Sequence, residues 1–445
     1  MNHNENFTVG IYTLGCKVNQ YESEAIAEAL AEAGALILPP DRAADAYVIN
    51  TCTVTAESDR KARQFIRRAI KKNPHAVVAV TGCLAQTAPE ALARIDGVDV
   101  IIGNTDKLLC AKEILRLIRE RKKNPFPTVS VRPIEGAPFE PMRIRTFGRT
   151  RAYIKIEDGC ENRCAYCIIP SARGLVRSKP IDEVVREVRA LTEGGCKEVV
   201  LTGIETASYG KDLSRDENLA TLLEQVNALE GIGRVRLGSL DPSLFRPAFV
   251  ERIAPLSSLA PHFHLSLQSG SSRVLALMKR KYNADGARAA MARLRNAIPR
   301  VKFTTDVIVG FPGETEEDFL ETERFIREER FLTVHIFPYS KRKGTPAEQM
   351  PDQVPEEIKK ERLHRLEQAA ATARRSLLEE AIREDPFTEV LFETYKDGMA
   401  YGHTDDFLEV AVPSDRPLHA ELLPVRLTRT DGELCFGILE GGGNR

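Results

Sequence analysis

The chain lacks any apolar run approaching the roughly 20 residues that a bilayer-spanning helix requires, which excludes a membrane span. No secretory leader opens it either, since Met1 to Asn6 is polar and no apolar stretch follows. Charge of one sign is also missing. Lys and Arg total 63 against 64 Asp and Glu, a net of −1, so no global imbalance announces a nucleic-acid partner. There is no internal repeat and no low-complexity tract. What remains is a chain of 445 residues, 42% hydrophobic, with material for about two to four buried cores. Its nine cysteines, without an export signal, point to metal or redox chemistry in a reducing cytoplasm and not to a disulfide framework.

Three of those cysteines, Cys160, Cys164 and Cys167, form a C-x3-C-x2-C run within Asp158-Gly159-Cys160-Glu161-Asn162-Arg163-Cys164-Ala165-Tyr166-Cys167. Structural zinc takes four ligands, usually with paired C-x2-C spacing, and no fourth Cys or His lies nearby. Iron–sulfur cubes are held by thiolates, and a cube on three cysteines leaves one iron open to a substrate. The spacing resembles the signature of the radical S-adenosylmethionine superfamily, in which the open iron binds the amino and carboxylate groups of the methionine moiety.

A second trio is dispersed. Val9 to Leu14, Ala46 to Asn50 and Val77 to Thr81 read as buried strands, separated by helical stretches over Tyr21 to Ala33, Glu57 to Lys72 and Asn104 to Lys122. Such alternation predicts a parallel sheet, whose strand C-termini share one edge. Cys16, Cys52 and Cys83 each follow one of the strands, so the topology predicts that they meet. Placement of all three after strands, two of them behind a glycine, favours one shared site over three independent buried thiols.

Strand-like runs at Ala152 to Glu157, Glu198 to Thr202, Val235 to Ser239, Phe263 to Leu267, Phe303 to Val309 and Thr333 to Phe337 alternate with helical patterns. Six such units predict a partial (β/α)6 TIM-type barrel with function at the strand C-termini. A helical stretch over Pro355 to Ile382 and short alternating runs from Pro386 to Glu440 complete the chain, the latter predicting a small all-β barrel. The Gly441-Gly442-Gly443 end reads as a frayed tail. The expected divisions are an N-terminal α/β domain (residues 1–125), a linker (126–149), the barrel (150–345), a helical connector (346–383) and the β domain (384–441).

Together with Gly15-Cys16-Lys17-Val18-Asn19-Gln20, Asn50-Thr51-Cys52-Thr53-Val54-Thr55 and Phe311-Pro312-Gly313-Glu314-Thr315, the two cysteine trios resemble the radical S-adenosylmethionine methylthiotransferase family along essentially the whole chain. The resemblance implies two [4Fe-4S] clusters, an auxiliary one on Cys16, Cys52 and Cys83 and a radical one on Cys160, Cys164 and Cys167. It also implies a C-terminal domain of the TRAM type. Family members insert a methylthio group into an unactivated C–H bond. The radical cluster generates a 5′-deoxyadenosyl radical, the auxiliary cluster carries the sulfur, and a second S-adenosylmethionine supplies the methyl group. The Gly-Cys-Lys-Val-Asn-Gln opening is similar to the branch acting at C2 of N6-threonylcarbamoyladenosine at tRNA position 37. The family's other substrates are isopentenyladenosine in tRNA and an aspartate of a ribosomal protein. The tRNA anticodon stem-loop, a low-potential electron donor and a sulfur source are the partners so implied.

Gly203, Glu205, Ser239 and Gln268, at strand ends, are expected to hold S-adenosylmethionine, with Glu205 accepting from its ammonium. Arg173 and Arg177 are candidates for pairing with a substrate carboxylate or phosphate. For RNA, seven positive charges and no acid lie between Arg60 and Lys72, Arg63 and Arg67 among them. Arg143, Arg145, Arg149, Arg151, Lys279, Arg280, Lys281, Lys341, Arg342 and Lys343 add to that set. Against this, Pro386 to Glu440 holds eleven acids and four basic residues, a net of −7. That domain either hides a local basic face or packs on the barrel. Cys110, Cys196 and Cys435 read as ordinary cysteines.

Overall fold

The computed structural model describes residues 7–121, 123, 125–214 and 216–440. The polar start Met1 to Asn6 and the Gly441-Gly442-Gly443 end lie outside the described residues. Three bodies follow one another. The first is a six-stranded parallel sheet in the order β2-β1-β3-β4-β5-β6. Its strands are β1 (Phe7–Thr13), β2 (Ala35–Leu38), β3 (Ala46–Thr51), β4 (Val77–Gly82), β5 (Val100–Ile102) and β6 (Thr128–Ser130). Every residue of β3 and β4 is buried, as expected where helices cover both faces of a parallel sheet. Helix α1 (Lys17–Glu32) packs against one face, and α2 (Ala56–Lys72) lays Ala62, Ile66 and Ala69 against the other. Strands β2, β5 and β6 have only four, three and three residues, too few for periodicity to register. The last of them lies in the segment read as a linker, so the sheet extends past residue 125.

The second body begins with β7 (Ala152–Lys155) and a short antiparallel pair, β8 (Glu157–Asp158) and β9 (Arg177–Ser178). Then come β10 (Glu198–Thr202), β11 (Arg234–Leu237), β12 (His262–Gln268), β13 (Lys302–Val309) and β14 (Thr333–Pro338). Two parallel triplets, β7-β10-β11 and β12-β13-β14, meet through bridges at Val235–Leu259 and Leu240–Leu265. The barrel is therefore a partial one of six strands, open between β7 and β14. Strand alternation sends Val199, Leu201, Phe263, Leu265, Val307 and Val309 outward into the core beneath the helices. The intervening residues line a lumen that is mostly polar.

The helix Glu356–Glu384 leads to a closed five-stranded barrel, β15 (Phe387–Lys396), β16 (Met399–His403), β17 (Glu409–Pro413), β18 (Leu422–Thr430) and β19 (Cys435–Leu439). This barrel sits at the N-terminal ends of the large barrel's strands. Phe407 stacks between His262 and His403, with centroids 4.4 and 4.6 Å away, while Arg236 and Arg151 lie over its ring. Arg300 bridges Asp385 and Asp405, Arg151 pairs with Glu393, and Arg234 donates to the carbonyls of His403 and Glu389. Two acids of this domain, Glu393 and Asp405, are thus met by arginines of the barrel base, and Glu409 and Glu433 by Arg374 of the connecting helix, so part of its negative charge is engaged in packing. Among the described residues no helix is long and apolar enough to cross a membrane.

Candidate active site

The register of the first sheet assembles the dispersed trio. Thr13 pairs with Asn50 and Thr51 with Gly82, which sets Cys52 beside Cys83 and brings Cys16 over the same edge. Gly82 takes φ +96°, and a Cβ there would come 2.4 Å from the Thr51 carbonyl oxygen, so only glycine lets β4 turn directly into Cys83. Asn19, in the first turns of α1, donates to the carbonyls of Leu14 and Thr51 and holds its Oδ1 3.7 Å from Cys16 Sγ. Burial, then the neighbouring Cys83, pushes the Cys52 thiol up to about 11.

The second trio follows β8. Gly159, at φ +89°, turns the chain where a Cβ would lie 1.9 Å from the Leu175 carbonyl oxygen. The Cys160 amide then donates to Gly174, and the Asn162 amide to Cys160 Sγ at 3.4 Å. Burial, followed by nearby negative groups, pushes both Cys160 and Cys167 up to about 12. A thiol so placed ionises when a metal supplies the compensating charge. Arg280 donates to Cys164 Sγ at 3.1 Å and pairs with Asp241 at 2.9 Å. Expected among the RNA contacts, Arg280 instead belongs to this site.

Both trios suit a cube better than a single ion. Among the described residues only His264, Asp306 and His335 bring three ligand atoms within 4.8 Å of one another. Neither cysteine set therefore closes to the sulfur–sulfur edge of about 3.8 Å that tetrahedral zinc with 2.3 Å bonds imposes.

Arg173 and Arg177 depart from expectation. Arg173 is fully buried and divides its guanidinium between Glu22 (2.7 Å), Asp158 (3.1 Å), Asn19 and Cys83 Sγ (3.4 Å). Arg177 is buried too, donating to the Arg173 carbonyl and lying 3.4 Å from Asp158. Both are withdrawn from substrate because they tie the cysteine-bearing edge of the sheet to the barrel. Lys107 and Lys155 complete the cluster on Glu22, and Lys155 also pairs with Asp158. Burial alone would raise both acids, but Arg173 and its lysine neighbours hold Glu22 well below the carboxylate range and Asp158 down at about 2. Four cations face these two carboxylates. Even with Glu140, which burial pushes up at the rim, positive charge is in excess beside Cys83. Thiolates at Cys16, Cys52 and Cys83 would supply the anion that this surplus requires, so the residues present fit a cluster there.

Glu205 is buried at the end of β10. Asn162 donates to its Oε2 at 3.0 Å, its own amide donates to Glu157, and its Oε1 has no partner although it is buried. Burial, then Asp241, raises its carboxyl to about 7. An orphaned carboxylate oxygen beside the cysteine loop is the feature an incoming ammonium would satisfy. Gly203 is hemmed in, since a Cβ would meet Glu157 Oε2 at 2.4 Å. Gln268 is buried and adopts φ +69° where the β12–β13 register shifts, a strained position of the kind found at ligand sites. Ser239 is half-buried at the mouth.

The basic set divides. Helix α2 begins at Ala56 and so includes Glu57 and Asp59, of which Glu57 pairs with Arg60 and Asp59 with Arg342. Arg151 is likewise engaged internally, with Glu198 and Glu393. Arg63 and Arg67 make no ion pair among the described residues, and Arg67 is exposed, as are Lys279, Lys281, Lys341 and Lys343. The Arg342 contacts, with Ser340 accepting from the Ala56 amide at 3.2 Å, place the lysine loop against the start of α2. An uncompensated basic rim thus borders both cysteine sites. Cys110, Cys196 and Cys435 are buried away from them.

Comparison with known proteins agrees with this arrangement. Residues 154–326 match the Radical SAM superfamily, and residues 8–103 match the Uncharacterized protein family UPF0004. The threonylcarbamoyladenosine tRNA methylthiotransferase MtaB of Bacillus subtilis (strain 168) is 42% identical over 428 residues, covering 95% of this chain and 94% of that protein. The tRNA-2-methylthio-N(6)-dimethylallyladenosine synthase of Moorella thermoacetica is 36% identical over 445 residues, covering 98% and 99%. Among solved structures, the radical S-adenosylmethionine methyltransferase TsrM of Kitasatospora setae superposes with a TM-score of 0.55 at 16% identity, covering 76% of each chain, which bears on the fold alone.

Proposed function

Because the chain belongs to the radical S-adenosylmethionine tRNA methylthiotransferase family, we propose that it methylthiolates C2 of N6-threonylcarbamoyladenosine at position 37, beside the tRNA anticodon. The reading includes a cluster on each cysteine trio, two S-adenosylmethionine molecules per product, an external low-potential electron donor and a sulfur source. The single observation that supports it best is the pair of three-thiol sites, each short of a fourth ligand, joined by one buried network. When bound, the clusters and S-adenosylmethionine would supply the radical that removes hydrogen from C2, and the sulfur and methyl group that replace it.

The chain's own residues position and enclose. Cys160, Cys164 and Cys167 hold one cluster, with Arg280 donating to a sulfur ligand. Glu205 Oε1 accepts from the ammonium of S-adenosylmethionine, and Gln268 and Ser239 border the same mouth. Cys16, Cys52 and Cys83 hold the other cluster against the cationic surplus of Arg173. The basic rim of Arg63, Arg67, Lys279, Lys281, Lys341 and Lys343 takes the phosphates of the anticodon stem-loop. Glu205→Gln is expected to weaken S-adenosylmethionine binding by about 10- to 100-fold, since an ionic hydrogen bond becomes a neutral one. Equilibrium binding to the cluster-loaded protein measures this.

The substrate is tested by mass spectrometry of tRNA nucleosides from a host lacking its own enzyme, with and without this chain. Appearance of 2-methylthio-N6-threonylcarbamoyladenosine is the expected result. The isopentenyl analogue in its place would overturn the substrate. No methylthiolated nucleoside, from soluble iron-loaded protein, would turn attention to the ribosomal-protein substrate.

A further inference from the structure

On the inner face of the barrel, three side chains converge that neither the cysteine sites nor the basic rim uses. Alternation sends Phe263, Leu265, Val307 and Val309 into the core beneath the helices, which leaves His264 of β12 and Asp306 of β13 on the lumen side. His335 of β14 joins them because it is the register partner of Asp306. Parallel strands thus deliver two imidazoles and one carboxylate to one level. Their ligand atoms all lie within 4.8 Å of one another, with His264 Nε2 standing 3.2 Å from Asp306 Oδ2 and the two imidazole centroids 5.8 Å apart. Metal bonds of about 2.0–2.1 Å in a tetrahedral site impose a ligand–ligand edge of roughly 3.3 Å. The His264–Asp306 pair is therefore already at chelating distance.

Support behind these ligands is present too. His264 Nδ1 lies 2.9 Å from Thr304 Oγ1, and that hydroxyl lies 3.0 Å from His262 Nε2. Thr304 and His262 are buried, and burial, then Arg236, keeps the His262 ring neutral. With the Thr304 hydrogen given to His262 Nε2, its oxygen accepts from His264 Nδ1–H. That tautomer turns the His264 Nε2 lone pair toward Asp306, the outer-shell arrangement that fixes most ligating imidazoles. Two acceptors 3.2 Å apart repel unless a cation sits between them. A proton would serve that pair alone and leave His335 idle, since among the described residues His335 makes no hydrogen bond or ion pair. A metal ion engages all three. The charge of Lys17 is felt at Asp306 and weakens the hold on a cation, but Lys17 forms no ion pair with that carboxylate and so leaves the donors free. Arg236 and Arg151 are neutralised by Glu198.

We propose that His264, Asp306 and His335 bind one divalent transition cation, of the zinc or iron(II) class, in the barrel lumen. Two imidazoles and a carboxylate select such an ion over magnesium or calcium, which take oxygen ligands. The site calls on no thiolate and is separate from both cysteine trios. Three protein donors leave further coordination positions to water, the open arrangement that distinguishes reactive from structural sites. Phe407, stacked on His262 with centroids 4.4 Å apart, closes the lumen beneath it. The ion is reached from the mouth and from the open side of the barrel along β14, where His335 is exposed.

Zinc is the probe. Full-length protein with its clusters loaded, so that the six ligating cysteines are occupied, is cleared of loose metal by a chelator and dialysed against graded zinc chloride. Zinc and iron per chain are then read by elemental analysis. The expected result is saturable uptake of one zinc per chain with iron unchanged, and magnesium in excess should not displace it. Thr304→Val should weaken that uptake by about 10- to 100-fold, the usual loss when an outer-shell partner is removed, and Asp306→Asn and His335→Ala by more. Wild-type iron content and thermal midpoint in each variant establish that it folds. Absence of saturable uptake by the wild-type protein would overturn the proposal, and that arm needs no variant. Uptake that persists undiminished in both Asp306→Asn and His335→Ala would put the ion elsewhere and overturn it equally.

Discussion

Cys52→Ala is expected to leave S-adenosylmethionine cleavage under strong reductant close to wild type while reducing methylthiolated nucleoside to background. Cys160→Ala should abolish both. The separation follows from the fold. Cys52 ends β3 in the parallel sheet, whereas Cys160 follows β8 in the barrel, and the second loop is held by its own bonds to Gly174, Met278 and Arg280. Loss of one thiolate at the first site leaves these bonds in place. Anaerobic assays scoring 5′-deoxyadenosine and modified nucleoside side by side would read both arms. Unchanged product from Cys52→Ala would sink the auxiliary-cluster assignment.

Arg173→Met should have the largest effect on the folded state. The substitution keeps most of the side-chain volume but strips Glu22 and Asp158 of their shared guanidinium where no water can replace it. Breaking a buried ionic network from one side typically costs about 3–5 kcal/mol, which for bodies of this size lowers a thermal midpoint by roughly 6–20 °C. The Cys83 site loses its neighbouring cation as well, so iron content should fall by about half. Arg173→Lys should recover only part of either quantity, because an ammonium cannot fork between two carboxylates, an amide oxygen and a sulfur. Wild-type midpoint and iron content in Arg173→Met would refute the bridging role.

Much of this site is legible from residue order. Three cysteines after three buried strands converge because parallel strands end on one edge, and the C-x3-C-x2-C run names itself. Glu205 is legible as a strand-end acid. Arg173 is not. Nothing in Ser171-Ala172-Arg173-Gly174 distinguishes a buried tie from a phosphate contact, because the partners Glu22 and Asn19 are about 150 residues away. The contacts that Arg151, Arg234 and Arg300 make with the acidic C-terminal domain are illegible for the same reason, because those arginines are scattered through the barrel sequence. Strands of three or four residues, such as β5 and β6, fall below the length at which alternation can be recognised.

Helix α1 has a consequence for how the reaction is timed. Cys16 caps its start, and little more than a turn later Glu22 is locked into the barrel wall through Arg173 and Lys155. A catalyst that passes an atom between two centres uses either a swinging arm or a set clearance. With the helix bearing one centre bolted to the wall bearing the other, an arm is not available, and the clearance is decided when the chain folds. On the proposed function the travelling part is then the nucleoside, which leaves the anticodon loop and enters between two fixed centres, so the stiffness of that loop, more than any motion of the protein, is expected to govern which tRNAs are processed quickly.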